Sequence, residues 1–217
     1  IRPSAVLCKG GYVGVPVAIA AWLLRIPIVL HETDAVMGLA NRMIAPFADR
    51  IAVSFPRHNL SERHRRHGKL AYTGHPVRSA FYQAVSIRAE VERPHIAVIG
   101  GSQGASPIND LIKAILPELV SRYTVTHVTG PHDFGALSTG FQHRHYHPVA
   151  YAHTMVDVLR DADLVISRSG GTVFELAALG KPAILIPLPS SANNHQFVNA
   201  SILSEVGAAV LVEEPGL

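Results

Sequence analysis

Cysteine is almost missing. Cys8 is the only one in 217 residues, so no intramolecular disulfide can form, which excludes the bridged framework of small secreted domains. Charge is scarce too. Asp, Glu, Lys and Arg make up 16% of the chain and leave a net charge of +3. Thirteen histidines leave room for more at mild acidity. That balance is too weak for nucleic acid, and no zinc-finger or RNA-recognition pattern accompanies it. No apolar run has the length of a membrane span, and the longest, residues 13–24, is broken by Pro16. Nothing reads as a secretory leader. The cytoplasm is the expected compartment.

What is present is apolar residue in quantity, 48% of the chain. That suffices for one large or two small globular α/β domains with real cores. Apolar runs of strand length fall at residues 5–7, 28–30, 50–53, 71–72, 95–99, 124–128, 147–149, 164–167, 183–187 and 209–212. Between them lie helical patterns at 15–25, 37–47, 79–83, 106–122, 155–161, 172–179 and 195–206. Strands apolar on both faces and separated by helices predict parallel sheets covered on each side, in doubly wound, Rossmann-like order. A polar, charged stretch at 79–94 ends in Pro94 and precedes a fresh strand with its own glycine turn. It reads as a linker between one domain over 1–78 and a second over 95–217. The expected architecture is two Rossmann-like domains facing across a cleft. Since residues 4–7 already read as a strand edge and little follows 210–212, the expectation is a piece of a longer chain, its first domain incomplete and its C-terminal end missing. The basic segment RHNLSERHRRHGK, residues 57–69, reads first as a solvated loop and second as a contact for anionic lipid headgroups or phosphate-bearing substrates.

The stretch 164–200, LVISRSGGTVFELAALGKPAILIPLPSSANNHQFVNA, carries the most chemistry. A buried strand runs through a Ser-Gly-Gly turn into a helix, so unpaired backbone N–H groups and the positive end of the helix dipole meet beyond the strand's carboxyl end. That is a seat for phosphate. Glu175, a few residues inside the helix, suits ribose hydroxyls, and Gln196 suits a neutral sugar. Together they suggest a nucleotide-sugar pocket.

Other motifs have plainer alternatives. Gly100-Gly101-Ser102-Gln103-Gly104-Ala105 follows a strand and opens a helix. Ser102 can donate to a diphosphate, or the segment is only a tight turn. It is neither GxGxxG in register nor a phosphate-binding Gly-Lys-Ser/Thr loop, which weighs against a nicotinamide oxidoreductase. Gly10-Gly11-Tyr12-Val13-Gly14 reads as a close approach of helix and strand. Arg78, after Pro76, suits a diphosphate leaving group or an interdomain ion pair. Glu32 and Asp34 follow the strand at 28–30 and are open to acid–base work, with metal disfavoured for want of further ligands. Asp161 and Asp163 read as a helix end and a strand start. His143, His145 and His147 read as a connecting loop rather than a metal site.

Taken in order, the segments GGYVGVPVAIAAWLLRIPIVLHE, GLANRMIAPFADRIAVSFP, TGHPVR, IGGSQGASPIN, DADLVISRSGGTVFELAALGKPAILIPLP and HQFVNA resemble the MurG family of peptidoglycan synthesis. The resemblance implies a GT-B fold and an inverting transfer of N-acetylglucosamine from UDP-N-acetylglucosamine to the 4-hydroxyl of the muramyl sugar of lipid I, without metal or cofactor. It implies donor contacts at Asp34, Arg78, Ser102, the main chain of Ala152, Gly170, Gly171, Thr172, Glu175, His195 and Gln196. Gly10, Gly11 and Tyr12 would lie towards an undecaprenyl-diphosphate-linked muramyl peptide. The first domain would touch the inner leaflet at the cytoplasmic face, with Trp22, Leu23, Leu24 and Arg25 as its contact; the alternative for Trp22 is a cap on the core.

Three departures stand out. The family's Arg-x-Gly-Ala-x-Thr-x-x-Glu is one residue shorter here, from Arg168 to Glu175, so Gly171 is assigned only to within one position. Asp34 replaces a usual Asn and puts a charge near a diphosphate, unfavourable unless paired or protonated. The glycine loop that carries the family's suspected catalytic His is absent from this sequence, so no general base is named. The rival readings are another UDP-sugar enzyme of this fold, such as a glycolipid glycosyltransferase or a UDP-N-acetylglucosamine 2-epimerase, and a non-catalytic donor-binding module completed by a partner chain.

Overall fold

The computed structural model describes residues 3–56, 68–84, 93–101 and 104–214. These divide into two compact units, the described residues of Ile1–Pro76 with Ser190–Val198, and of Val77–Pro189 with Asn199–Leu217. The basic segment at 57–67, the charged stretch at 85–92, and Ser102 with Gln103 lie outside the described residues.

The first unit is built on β1 (Val6–Cys8), α1 (Gly14–Leu23), β2 (Ile28–Glu32), α2 (Leu39–Ile44), β3 (Arg50–Val53) and β4 (Leu70–Tyr72). Its strands are all parallel, in the order β1-β2-β3-β4. Parallel neighbours need a crossover, and the helices of the crossovers cover the sheet. Ile28, Leu30, Ile51 and Val53 are removed from water against Ala18, Ala21 and Ile44. β2 runs two residues past the predicted end. His31 and Glu32 pair with Ala52 and Val53 of β3, so they are strand residues rather than loop residues.

The second unit contains α3 (Ser79–Gln83), β5 (His95–Ile99), α4 (Ser106–Arg122), β6 (Thr124–Val128), α5 (Phe134–Gly140), β7 (Tyr146–Val149), α6 (Met155–Arg160), β8 (Leu164–Ser167), α7 (Thr172–Leu179), β9 (Ala183–Leu185) and β10 (Ala209–Leu211). A short 3₁₀ turn (Ala192–Asn194) precedes α8 (His195–Glu205), whose residues are shared between the two units. The six strands are parallel and ordered β7-β6-β5-β8-β9-β10. That is the doubly wound order, in which the chain starts at the centre, builds one half and returns to build the other. On α4, Ile108, Ile112, Leu116 and Val120 recur at helical spacing and pack on Ile96, Val98 and Val125. Burying each such side chain contributes roughly 1.5–3 kcal/mol. α5 has no counterpart in the sequence pattern: Gly135, Ser138, Thr139 and Gly140 are poor helix formers, and its buried side chain is Leu137.

Candidate functional site

In a doubly wound sheet, ligands bind beyond the carboxyl ends of the strands where the winding reverses. Here that point lies between β5 and β8, whose last residues, Ile99 and Ser167, are register partners. Two turns therefore emerge side by side, Gly100 to Ala105 leading into α4 and Arg168 to Gly171 leading into α7. Neither helix has a side chain capping its first turn, which leaves backbone N–H groups without intrahelical partners at both starts.

The glycines of the first turn differ in purpose. A Cβ on Gly104 would overlap the carbonyl of Thr129, and one on Gly100 would overlap the N–H of Ala105; both are packing glycines. Gly101, at φ +95°, has open space where a side chain would be. It lines a cavity of about 200 Å³ with Arg78, Ile99, Val128, Tyr151, Ala152, His153, Met155, Thr172 and Glu175.

Within that cavity Arg78 donates to Glu175, Nη2 to Oε1 at 3.3 Å. Arg78 caps the start of α3, and its guanidinium lies 5.0 Å over the buried ring of Phe81. Burial raises the Glu175 pKa above the ordinary carboxylate value, against the opposing pull of Arg78. With side chains 65% and 24% exposed, the pair is a weak ion pair, worth at most about 1 kcal/mol, and a ligand hydroxyl or phosphate can displace it.

The turn before α7 is braced from behind. Arg168 donates to the carbonyls of Ile186 and Pro187, both at 3.1 Å, and pairs with Glu214 at 2.5 Å. Asn199, buried in α8, donates to the carbonyl of Ser169 at 3.0 Å. Gly170 and Gly171 accept from Val173 and Phe174 as α7 begins.

The predicted residues thus fall into three groups. Arg78, Ala152, Thr172 and Glu175 line one cavity, and Gly170 and Gly171 form the turn leading into it. His195 and Gln196 open α8 among residues of the first unit. His195 Nδ1 is 2.8 Å from the carbonyl of Ala192, and Gln196 N–H donates to Ser191 Oγ at 3.4 Å. Asp34, Gly10, Gly11 and Tyr12 belong to the first unit. Sequence reasoning missed Tyr151, which is 57% exposed, lines the cavity and meets the His153 ring edge-on at 5.2 Å. The available signal was an aromatic next to Ala152, just after β7.

At the carboxyl ends of the first unit's strands, Glu32 is the centre of a hydrogen-bonded loop. Its buried carboxylate accepts from the N–H groups of Asp34 and Gly38, at 3.0 and 3.1 Å, and from Asn41 Nδ2 at 2.7 Å. It folds the loop around itself. Ser54 Oγ lies 3.2 Å from His31 Nε2 and 3.4 Å from His75 Nδ1. The pKa of His75 is lowered by burial, then by Lys9 and His31, with Asp34 opposing. Among the described residues no group of His, Cys, Asp and Glu is placed to hold a metal.

Two family models match the chain, the glycosyltransferase family 28 N-terminal domain over residues 1–53 and the family's C-terminal domain over residues 95–217. The UDP-N-acetylglucosamine--N-acetylmuramyl-(pentapeptide) pyrophosphoryl-undecaprenol N-acetylglucosamine transferase of Anaeromyxobacter sp. (strain Fw109-5) is 39% identical over 224 residues, spanning 100% of this chain and 58% of the relative. The protein of the same name from Treponema pallidum (strain Nichols) is 39% identical over 228 residues, spanning 98% and 59%. The crystal structure of Acinetobacter baumannii MurG superposes with a TM-score of 0.79 at 27% identity, covering 99% of this chain and 61% of that one. The chain thus spans about three fifths of the length of these relatives.

Proposed function

Because the chain belongs to glycosyltransferase family 28 and, within it, to the MurG family, we propose that it transfers N-acetylglucosamine from UDP-N-acetylglucosamine to the 4-hydroxyl of the muramyl sugar of lipid I, forming lipid II. One observation carries the donor half of this reading. An uncapped helix start at Thr172, the open glycine Gly101, an aromatic, a half-buried carboxylate and a guanidinium converge on one cavity at the winding reversal of the second sheet. Glu175 accepts from the ribose hydroxyls, the main chain of Ala152 meets the uracil edge, and Tyr151 lies against the base plane. Gly170, Gly171 and Thr172 line the phosphates, while His195 and Gln196 hold the sugar hydroxyls. Ser102, outside the described residues, keeps its expected role at the diphosphate.

The reaction is an in-line displacement. The acceptor hydroxyl oxygen forms a bond to the anomeric carbon as the bond from that carbon to the diphosphate oxygen breaks, the hydroxyl proton passes to solvent, and the configuration inverts. Negative charge grows on the departing UDP. Arg78, released from Glu175 once ribose hydroxyls take the carboxylate, and the helix N-termini stabilise that charge.

The first unit serves the acceptor, with Gly10, Gly11 and Tyr12 towards its diphosphate and Asp34 near the transferred sugar. α1 supports contact with the inner leaflet at the cytoplasmic face. Tyr12, Val13, Trp22, Leu23 and Leu24 are all more than half exposed, and Arg25 follows them. Such a surface suits a lipid interface. Among the described residues no helix is long and apolar enough to cross a membrane.

Calorimetry with UDP, UDP-N-acetylglucosamine and NAD tests the donor site. Selective binding of the uridine nucleotides, weakened about tenfold in Glu175→Ala, is expected. Equal binding of NAD, or uridine-nucleotide binding untouched in the variant, would remove the donor assignment. Lipid I offered beside diacylglycerol then tests the acceptor.

A further inference from the structure

Behind the glycine turn of the second unit runs a string of buried polar side chains to which the donor reading gives no task. His127, fully buried in β6, has Nε2 2.9 Å from Asn109 Oδ1 and Nδ1 3.1 Å from the Tyr146 hydroxyl. The direction of each bond follows by elimination. Asn109 Nδ2 faces two acceptors, the carbonyl of Thr129 at 2.8 Å and Asp133 Oδ2 at 2.7 Å. Its Oδ1 is then the acceptor side of the amide, and His127 carries its proton on Nε2. Nδ1 keeps the lone pair, so the Tyr146 hydroxyl donates to it. Ser106 Oγ donates to the same oxygen of Asp133 at 2.8 Å. Donors therefore run in one sense from Tyr146 to Asp133, whose carboxyl is held below its ordinary value by Asn109 and Ser106. Burial keeps His127 neutral, with its pKa lowered to about 4, and the string needs the neutral ring, because an imidazolium has no acceptor for Tyr146.

The string ends on the parts that set the turn. The carbonyl of Thr129, which receives Asn109, is the atom a side chain on Gly104 would strike. Ser106 and Asn109 lie in the first turn of α4, and Asp133 sits where α5 begins. We propose that Tyr146, His127 and Asn109 are positioning residues for the anion seat at the start of α4, holding its first turn and the Thr129 carbonyl in the geometry that presents backbone N–H groups to a diphosphate. This rests on the donor reading above and narrows it: the string serves the diphosphate, not the base or the ribose.

The test compares UDP with uridine, by calorimetry, on the chain and on His127→Leu, His127→Gln and Tyr146→Phe, with thermal unfolding alongside. In His127→Leu the preference for UDP over uridine should fall about fivefold or more, while uridine affinity stays within about twofold. His127→Gln, whose amide can donate from the place of Nε2, should restore the preference to within about twofold. Tyr146→Phe, with its smaller loss, decides the matter if His127→Leu does not fold. A preference unchanged in the folded variants overturns the proposal, as does a parallel fall of UDP and uridine affinity, which a merely structural role would give. If the unaltered chain binds UDP no more tightly than uridine, the donor reading itself fails and the proposal falls with it.

Discussion

The two units start alike and are finished differently. Each leads from its first strand through a glycine turn into a helix, and each sets a buried asparagine from a helix behind its glycines. In the first unit that residue is Asn41. Its amide lies against Gly10, its Nδ2 serves the caged carboxylate of Glu32, and its Oδ1 has no hydrogen-bond partner among the described residues. In the second it is Asn109, with both ends of its amide engaged and Gly104 clamped on Thr129. A buried acceptor left unmade costs about 1–3 kcal/mol, a cost the second unit's asparagine does not carry. One sequence pattern thus yields a glycine clamped on a neighbouring carbonyl in one unit and glycines beside a half-satisfied amide in the other.

The largest test of that difference is glycine replacement. Gly104→Ala should destabilise the second unit by about 3–5 kcal/mol, through positive φ and overlap with the Thr129 carbonyl. Gly11→Ala, at φ +79° with open space around its Cβ position, should cost the first unit only about 1 kcal/mol. Urea unfolding of both variants measures the gap, and equal losses would erase the distinction.

Acid should expose the second unit's buried ring next. Burial lowers the folded pKa of His127 to about 4, below the ordinary imidazole value of 6.5, so the unfolded chain binds more protons in between. Stability is therefore complete above pH 6.5 and is lost as pH falls towards 4, by about 3 kcal/mol. His127→Gln should flatten that limb, and an unaltered slope would mean the ring is not buried neutral. Asp133, whose pKa is depressed, gives its loss only at lower pH.

A smaller effect should appear in the cavity. Removing the carboxylate in Glu175→Ala should weaken UDP binding about tenfold, roughly 1.4 kcal/mol. Because the ion pair with Arg78 is weak, thermal stability should barely change. A large drop in melting temperature would make Glu175 a structural residue.

Least of all should surface changes on α1 matter to folding. Leu23→Ser with Leu24→Ser, at residues 68% and 62% exposed, should leave stability within about 0.5 kcal/mol yet reduce sedimentation with anionic vesicles several-fold. Undiminished vesicle binding would take α1 out of the membrane contact.

Much of the fold was legible because period and apolar runs report burial on both faces of a parallel strand. Every described strand lies within two residues of a predicted one. The failures have physical causes. β2 extends through His31 and Glu32 because partners on β3 and in the following loop satisfy polar groups that alone would end a strand. α5 forms against its own propensity around a buried Leu137. In the site, Glu175 and the two glycine turns were legible as chemistry on a strand–turn–helix path. Tyr151 was not, since a lone exposed aromatic carries no periodic signal.

By itself the sequence determined the class of fold, the positions of the two glycine turns and the family, because local patterning and motif order are properties of the chain alone. Tertiary structure decided which of those residues meet. It brought Arg78 onto Glu175, ninety-seven positions away, and made Glu32 the hub of a loop. It also joined Tyr146, His127 and Asn109 into one directed string. Contacts of that kind depend on strand order and burial, and neither is written in any single segment.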